Sequence, residues 1–340
     1  MFLNIYVNLI FLPVLILSSV SIFFVSSWFY QWIIMEINMI SFISLVLADK
    51  KSDSSLCIQY FLVQSIMSLI FVALSLNLDF LNFFNDFSIY FALNLILLIK
   101  MGLPPFFIWY NKFVMGLSWL NMFFLTTIQK IIPLFIFYDL SIYQFNNIYL
   151  FNLFCMLLFS FYCAMMGLFI TNLKLLMSFS SIIQMVWIFF LMYLSEYYCL
   201  IMFFVYMIIS LSMFLFFELF NCLNLLDLNM LILNNFWFKV LFISIFFSLS
   251  GLPPFFGFLL KWIAIYIFNY YLSFFFILFL IFNSLISMFF YSRIIFNFFF
   301  FHWISLKVNY LMINYHFNLN IILVGLIFLN FFGLSLFEIF

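Results

Sequence analysis

A chain of 340 residues that is 70% hydrophobic and charged at only 6% of its positions cannot cover itself with polar surface, which excludes an ordinary water-soluble domain. Its formal net charge is zero, so the charge balance gives no reason to expect nucleic acid as a partner. The apolar runs are continuous rather than alternating with period two, which excludes a membrane β-barrel and leaves helices of about 20 residues that cross a bilayer.

In chain order the apolar runs predict spans at 3–24, 26–47, 56–78, 87–110, 117–138, 148–170, 174–193, 197–220, 237–268, 270–295 and 319–338. Short polar stretches separate them, most clearly at 49–55. Met1-Phe2-Leu3-Asn4 brings no basic stretch and no small-residue cleavage site, so the first run is expected to be a permanent span. The stretch 301–318 holds both histidines, His302 and His316, and is expected to be an interfacial segment without a metal. Eleven spans place Lys50, Lys51, Lys112, Lys174, Lys239, Arg293 and Lys307 on one side. The other side receives Asp79, Asp86, Asp139, Glu196 and Glu338, with no lysine or arginine. Basic residues accumulate on the side from which a protein is inserted, so the N-terminus is expected to face the inner compartment.

Cys57, Cys155, Cys163, Cys199 and Cys222 are scattered through apolar runs without the close pairs a zinc or iron–sulfur site needs, and read as small buried hydrophobes. The 62 phenylalanines stand beside only five alanines, although small residues would pack better between membrane helices. Codons rich in A and T explain the skew, as in an animal mitochondrial genome.

One motif recurs: Gly102-Leu103-Pro104-Pro105-Phe106-Phe107 and Gly251-Leu252-Pro253-Pro254-Phe255-Phe256. Each Pro pair is expected to break a long apolar helix, and Pro133 to interrupt another. Freed backbone groups at membrane depth must be satisfied by protein or water. The two copies fall five spans apart, an odd offset that inverts the second unit. The reading is an all-α transmembrane bundle of two inverted repeats, 1–145 and 146–300, followed by 301–340. Matching broken helices in such repeats point to a transport site; two turns of similar composition in a low-diversity chain is the plainer alternative.

Four charges cannot reach either surface: Glu36, Lys100, Lys130 and Lys261. A charge at the bilayer centre costs about 2.5–3.5 kcal/mol or more, so such residues usually mark ion or proton pathways. A lysine there can change its charge near neutral pH. Two ammonium groups 10 Å apart at an effective dielectric of 20 repel by about 1.7 kcal/mol, enough for one to discharge its neighbour. Glu36 is the expected partner of one lysine; a static pair with snorkelling lysines is the alternative.

Several stretches then carry a resemblance: Met35-Glu36-Ile37-Asn38, Tyr60-Phe61-Leu62-Val63-Gln64, Lys100 through Phe106, Gln129-Lys130-Ile131-Ile132-Pro133, Ser180-Ser181-Ile182-Ile183, and Leu249 through Phe255 leading to Lys261-Trp262. In order over residues 35–262, they resemble the antiporter-like membrane subunits of animal mitochondrial NADH–ubiquinone oxidoreductase, respiratory complex I. The resemblance implies a proton-pumping module of the inner mitochondrial membrane, N-terminus on the matrix side, in which Glu36 pairs with Lys100, Lys130 is the central relay and Lys261 lies on the exit side. It implies other complex I membrane subunits and lipid as partners, with no soluble substrate of its own. NADH, FMN, iron–sulfur clusters and ubiquinone would belong to other subunits, with no cofactor in this chain. Departures from the family are Phe107 and Gln184 in place of histidines and Asn111-Lys112 in place of Pro-Glu. They put a histidine-bridged proton wire in doubt and keep two rivals open: a stand-alone cation/proton antiporter and a non-conducting scaffold.

Overall fold

The computed structural model describes residues 2–49, 54–80, 86–141, 146–225, 227 and 236–305. Its helices are α1 (Phe2–Ser21), α2 (Trp28–Ala48), α3 (Ser54–Phe80), α4 (Asp86–Met101), α5 (Phe107–Met115), α6 (Trp119–Thr126), α7 (Ile128–Ser141), α8 (Asn146–Phe169), α9 (Leu173–Leu194), α10 (Glu196–Phe220), α11 (Phe236–Ser250), α12 (Phe256–Tyr271) and α13 (Phe274–Ser305). A single 3-10 turn, Ile22–Phe24, extends α1. Apart from an isolated backbone bridge between Asn172 and Asn224, all regular structure among the described residues is helical. Lipid offers no hydrogen bonds to the backbone, so each apolar segment satisfies its own. Serines follow the same rule: the hydroxyls of Ser178, Ser180 and Ser181 donate to carbonyls three residues back in α9.

Eight candidate spans among the described residues are long and apolar enough to cross a membrane, from Tyr6–Phe24 to Phe274–Phe296. The predicted spans 87–110 and 237–268 are absent from that set because each is divided. The first becomes α4 and α5, of 16 and 9 residues, and the second α11 and α12, of 15 and 16. The predicted span 319–338 lies outside the described residues, as do His316 and most of the expected interfacial stretch. Of that stretch, the described residues 301–305, with His302, continue helix α13.

Pro133 does not break its helix. It lies inside α7, and the interruption falls six residues earlier, at Thr127 (φ −120°, ψ −78°), which separates α6 from α7. The carbonyl a proline ring disturbs, four residues before it, is here that of Gln129 in the first turn of α7, so the helix continues through Pro133. Lys130 N–H bonds the Thr127 carbonyl at 2.9 Å, a tightened first turn. Upstream, the Asp49 carboxylate accepts from Ser118 Oγ at 2.7 Å and from Asn121 Nδ2, which fixes the start of α6.

The chain forms two compact units, Met1–Phe159 and Ser160–Phe340. In the first, α2 packs on α1, α3 and α7, and α4 on α3 and α7. In the second, α9 packs on α10, α12 and α13, and α11 on α10, α12 and α13. Helix α9 is the most enclosed span, with 89% of its central stretch buried. Large side chains such as Phe24, Phe169, Tyr197 and Phe274 stay exposed, as they do where lipid rather than water is the solvent.

Candidate functional site

Both Gly-Leu-Pro-Pro segments close their helices in the same way. Gly102 (φ +63°) follows α4 and Gly251 (φ +74°) follows α11, each in the left-handed region that a side chain disfavours. Leu103 N–H bonds the Leu98 carbonyl at 3.0 Å and Leu252 N–H the Phe247 carbonyl at 3.1 Å. Gly102 N–H bonds Ile99, and Gly251 N–H bonds Ser248. These bonds form a Schellman closure, which takes two of the four carbonyls a helix leaves unpaired at its end.

Side chains take the next ones. In the first unit Gln64 Nε2 donates to the Lys100 carbonyl at 3.0 Å. In the second, Gln184 Nε2 donates to the Leu249 carbonyl at 3.0 Å, and Lys261 Nζ donates to the Ser250 carbonyl. Lys261 therefore carries its charge to the negative end of α11, where a cation is stabilised. Its stem also fills the space that Gly251 leaves open: a methyl built on Gly251 would lie 2.8 Å from Lys261 Cδ. Gln184 thus works as a carbonyl cap. Phe107 is a buried residue opening α5.

In the first unit Glu36 on α2, Lys100 in the last turn of α4 and Gln129 on α7 line one cavity with Met35, Asn38, Met39, Gln64, Ile132 and Pro133. Its ≈ 20 Å³ gives room for about one water. Glu36 and Lys100 thus share the walls of this cavity. The Glu36 carboxylate accepts from Ser68 Oγ, and Lys100 Nζ contacts Met35 Sδ at 3.3 Å. Tyr60 OH donates to Gln129 Oε1 at 3.2 Å, and Gln129 Nε2 reaches the Asn38 carbonyl at 3.5 Å. Both polar atoms of the Asn38 side chain are buried without a hydrogen-bond partner among the described residues. Groups buried this way are normally satisfied by water.

Lys130 is 1% exposed, and among the described residues its ammonium has no hydrogen-bond partner. It lies over the face of Tyr110, 4.8 Å from the ring centroid. Lys130 does not itself line the cavity, but its neighbours Gln129, Ile132 and Pro133 do. Glu36, Lys100 and the start of α7 are thus brought together in the first unit, while Lys261 belongs to the second.

Of the contributors, Ser68 and Tyr110 are absent from the sequence reading, and Asn38, Tyr60 and Gln64 enter it only within the stretches that carry the resemblance. Tyr60, Gln64 and Ser68 did leave a signal, since polar residues at i, i+4 and i+8 of an apolar helix mark one face turned from lipid. Tyr110 left none; its place depends on the turn between α4 and α5.

Comparison with known proteins converges on one kind of molecule. The family model described as NADH:quinone oxidoreductase/Mrp antiporter, transmembrane, matches residues 7–287. NADH-ubiquinone oxidoreductase chain 2 of Anopheles gambiae is 36% identical over 267 residues, 76% of each chain. Among solved structures, a chain of the membrane-bound sulfane sulfur reductase, an archaeal respiratory membrane complex, superposes with a TM-score of 0.79 at 15% identity, covering 96% of this chain and 72% of that one. A chain of respiratory complex I from Thermus thermophilus gives 0.67 at 15% identity, covering 96% and 84%. At these identities the two structures speak for the fold alone.

Proposed function

The chain belongs to the NADH:quinone oxidoreductase/Mrp antiporter family of membrane proteins, and from that premise we propose how it moves protons. It is an antiporter-like, proton-translocating membrane subunit of respiratory NADH:ubiquinone oxidoreductase, a multi-pass protein of the mitochondrial inner membrane. In our reading the protons travel along a row of Glu36, Lys100, Lys130 and Lys261. The row makes and breaks no bond other than those to protons. Moving one charge across the membrane requires about 2.3 kcal/mol per 100 mV, which redox chemistry elsewhere in the assembly must supply. NADH, FMN, iron–sulfur clusters and ubiquinone are placed on other subunits or their interfaces.

The observation that carries this reading is the cavity that Glu36 and Lys100 both line, with Gln129, the residue before Lys130, on its wall. An acid and a base sharing a polar cavity inside an apolar bundle can trade a proton through one water. Asn38 offers that water both a donor and an acceptor. The two histidine positions are not needed for this step, because Gln64, Gln129 and Asn38 supply its polar lining.

The proposed organisation is eleven spans in inverted repeats 1–145 and 146–300, then 301–340, with the N-terminus on the matrix side. Matching Schellman closures at Gly102 and Gly251 support the repeats, and the one-sided placement of lysine and arginine supports the orientation.

The test is Lys130→Met in the assembled complex, measuring proton uptake into vesicles per NADH oxidised. The relay reading expects assembly to persist while coupled pumping falls. Unchanged pumping with the variant subunit in place makes the chain a scaffold. Cation/proton exchange by the purified chain alone would favour the stand-alone antiporter.

A further inference from the structure

We propose that Tyr110 is a positioning residue for Lys130, and that Gly102 is kept free of a side chain so that the ring can reach its place. The inference rests on the relay reading of Lys130 and adds to it the group that holds the ammonium.

Among the described residues Lys130 Nζ has no hydrogen-bond acceptor, although the residue is almost fully buried. A buried ammonium left wholly uncompensated is costly, so something must offset its desolvation. The negative face of an aromatic ring does so, and most strongly where water is excluded. Tyr110 is fully buried, and its ring centroid lies 4.8 Å from Nζ, inside the ~6 Å over which the attraction acts. A ring also differs from a carboxylate in a way that suits a relay. It stabilises the ammonium without accepting its proton, so the proton remains free to leave.

The ring owes its place to the broken helix. Tyr110 lies on α5, just past the Pro104-Pro105 turn. A methyl built on Gly102 would lie 2.6 Å from Tyr110 Cβ and 2.9 Å from Cγ. The glycine that closes α4 therefore also opens the seat for the ring beneath Lys130. In the second unit the matching glycine, Gly251, opens the same kind of space, and there the stem of Lys261 fills it. In both units the side-chain-free position at the break borders a relay cation or the group that carries it.

The test compares Tyr110→Leu, Tyr110→Met and Tyr110→Phe in the assembled complex, each alone and combined with Lys130→Met. Pumping per NADH oxidised is measured at matched subunit content. Tyr110→Leu and Tyr110→Met are expected to lose roughly half or more of the pumping that depends on Lys130, and Tyr110→Phe, which keeps the ring face, to restore it. In the Lys130→Met background none of the three should have a further effect. If Tyr110→Leu does not assemble, Tyr110→Met decides, being flexible enough to fill the space. Wild-type pumping in an assembled ringless variant, while Lys130→Met alone abolishes it, overturns the role of Tyr110 and spares the relay. Equal losses in Tyr110→Phe and Tyr110→Leu also overturn it. Unchanged pumping in Lys130→Met alone removes the relay reading on which the proposal stands.

Discussion

Replacing Gly251 by alanine tests how the second break is held. At φ +74° a residue with a side chain costs about 1–2 kcal/mol. The added methyl would lie 2.8, 2.9 and 3.0 Å from Cδ, Cε and Nζ of Lys261, so the stem must move. The bond from Lys261 Nζ to the Ser250 carbonyl goes with it, about 1.5–3 kcal/mol for a charged donor. Gly251→Ala should therefore destabilise by about 2.5–5 kcal/mol, and Lys261→Met, which removes only the bond, by about 1.5–3. In the double variant the bond can be lost only once. It should be about as unstable as Gly251→Ala alone, a coupling of about 1.5–3 kcal/mol. The assay is the thermal unfolding midpoint of the detergent-solubilised complex, with the subunit's share in the assembled fraction, for wild type, both singles and the double. If the two single effects simply add, Lys261 does not occupy the space beside Gly251 and the account of this break fails.

Gln184→Leu and Gln64→Leu each leave a carbonyl at a helix break without its amide and should lower stability by about 1–3 kcal/mol, whereas Gln184→His, which keeps an N–H donor, should lose less; the same unfolding assay ranks them. An equal loss for Gln184→His and Gln184→Leu would argue against the capping role. Cys222, just beyond the end of α10, is fully buried, and burial together with the nearby Asp227 carboxylate pushes its thiol up to about 12. Both causes disfavour the thiolate, so maleimide should barely label Cys222 in the folded complex at about pH 8 and label it readily once the chain is unfolded. Fast labelling in the folded state would show that the loop after α10 is open.

How far the site could be read in advance varies from residue to residue. Glu36, Lys100, Lys130 and Lys261 stand out in any hydropathy reading, because lipid makes every interior charge conspicuous. The position of the break in the fifth predicted span did not. Pro133 is the conspicuous residue there, yet it lies inside α7 and the interruption falls at Thr127, where α6 and α7 meet. Gln184 stands out as a polar residue in an apolar run, yet its partner, the Leu249 carbonyl, lies 65 residues away.

The sequence by itself determined that this is a membrane protein of many helices, where most of those helices run, and which glycines and prolines end two of them. Each is a local property: a segment in lipid must satisfy its own backbone, and a Pro pair cannot, so neither outcome waits on a distant partner. Only the tertiary structure decided what meets the carbonyls and charges left over. Gln64 and Lys100 are 36 residues apart, and Lys130 meets Tyr110 across a helix break. Such pairings depend on how each helix is rotated about its axis and how closely its neighbours approach. In an apolar bundle, packing between helices sets those variables, and hydropathy does not encode them.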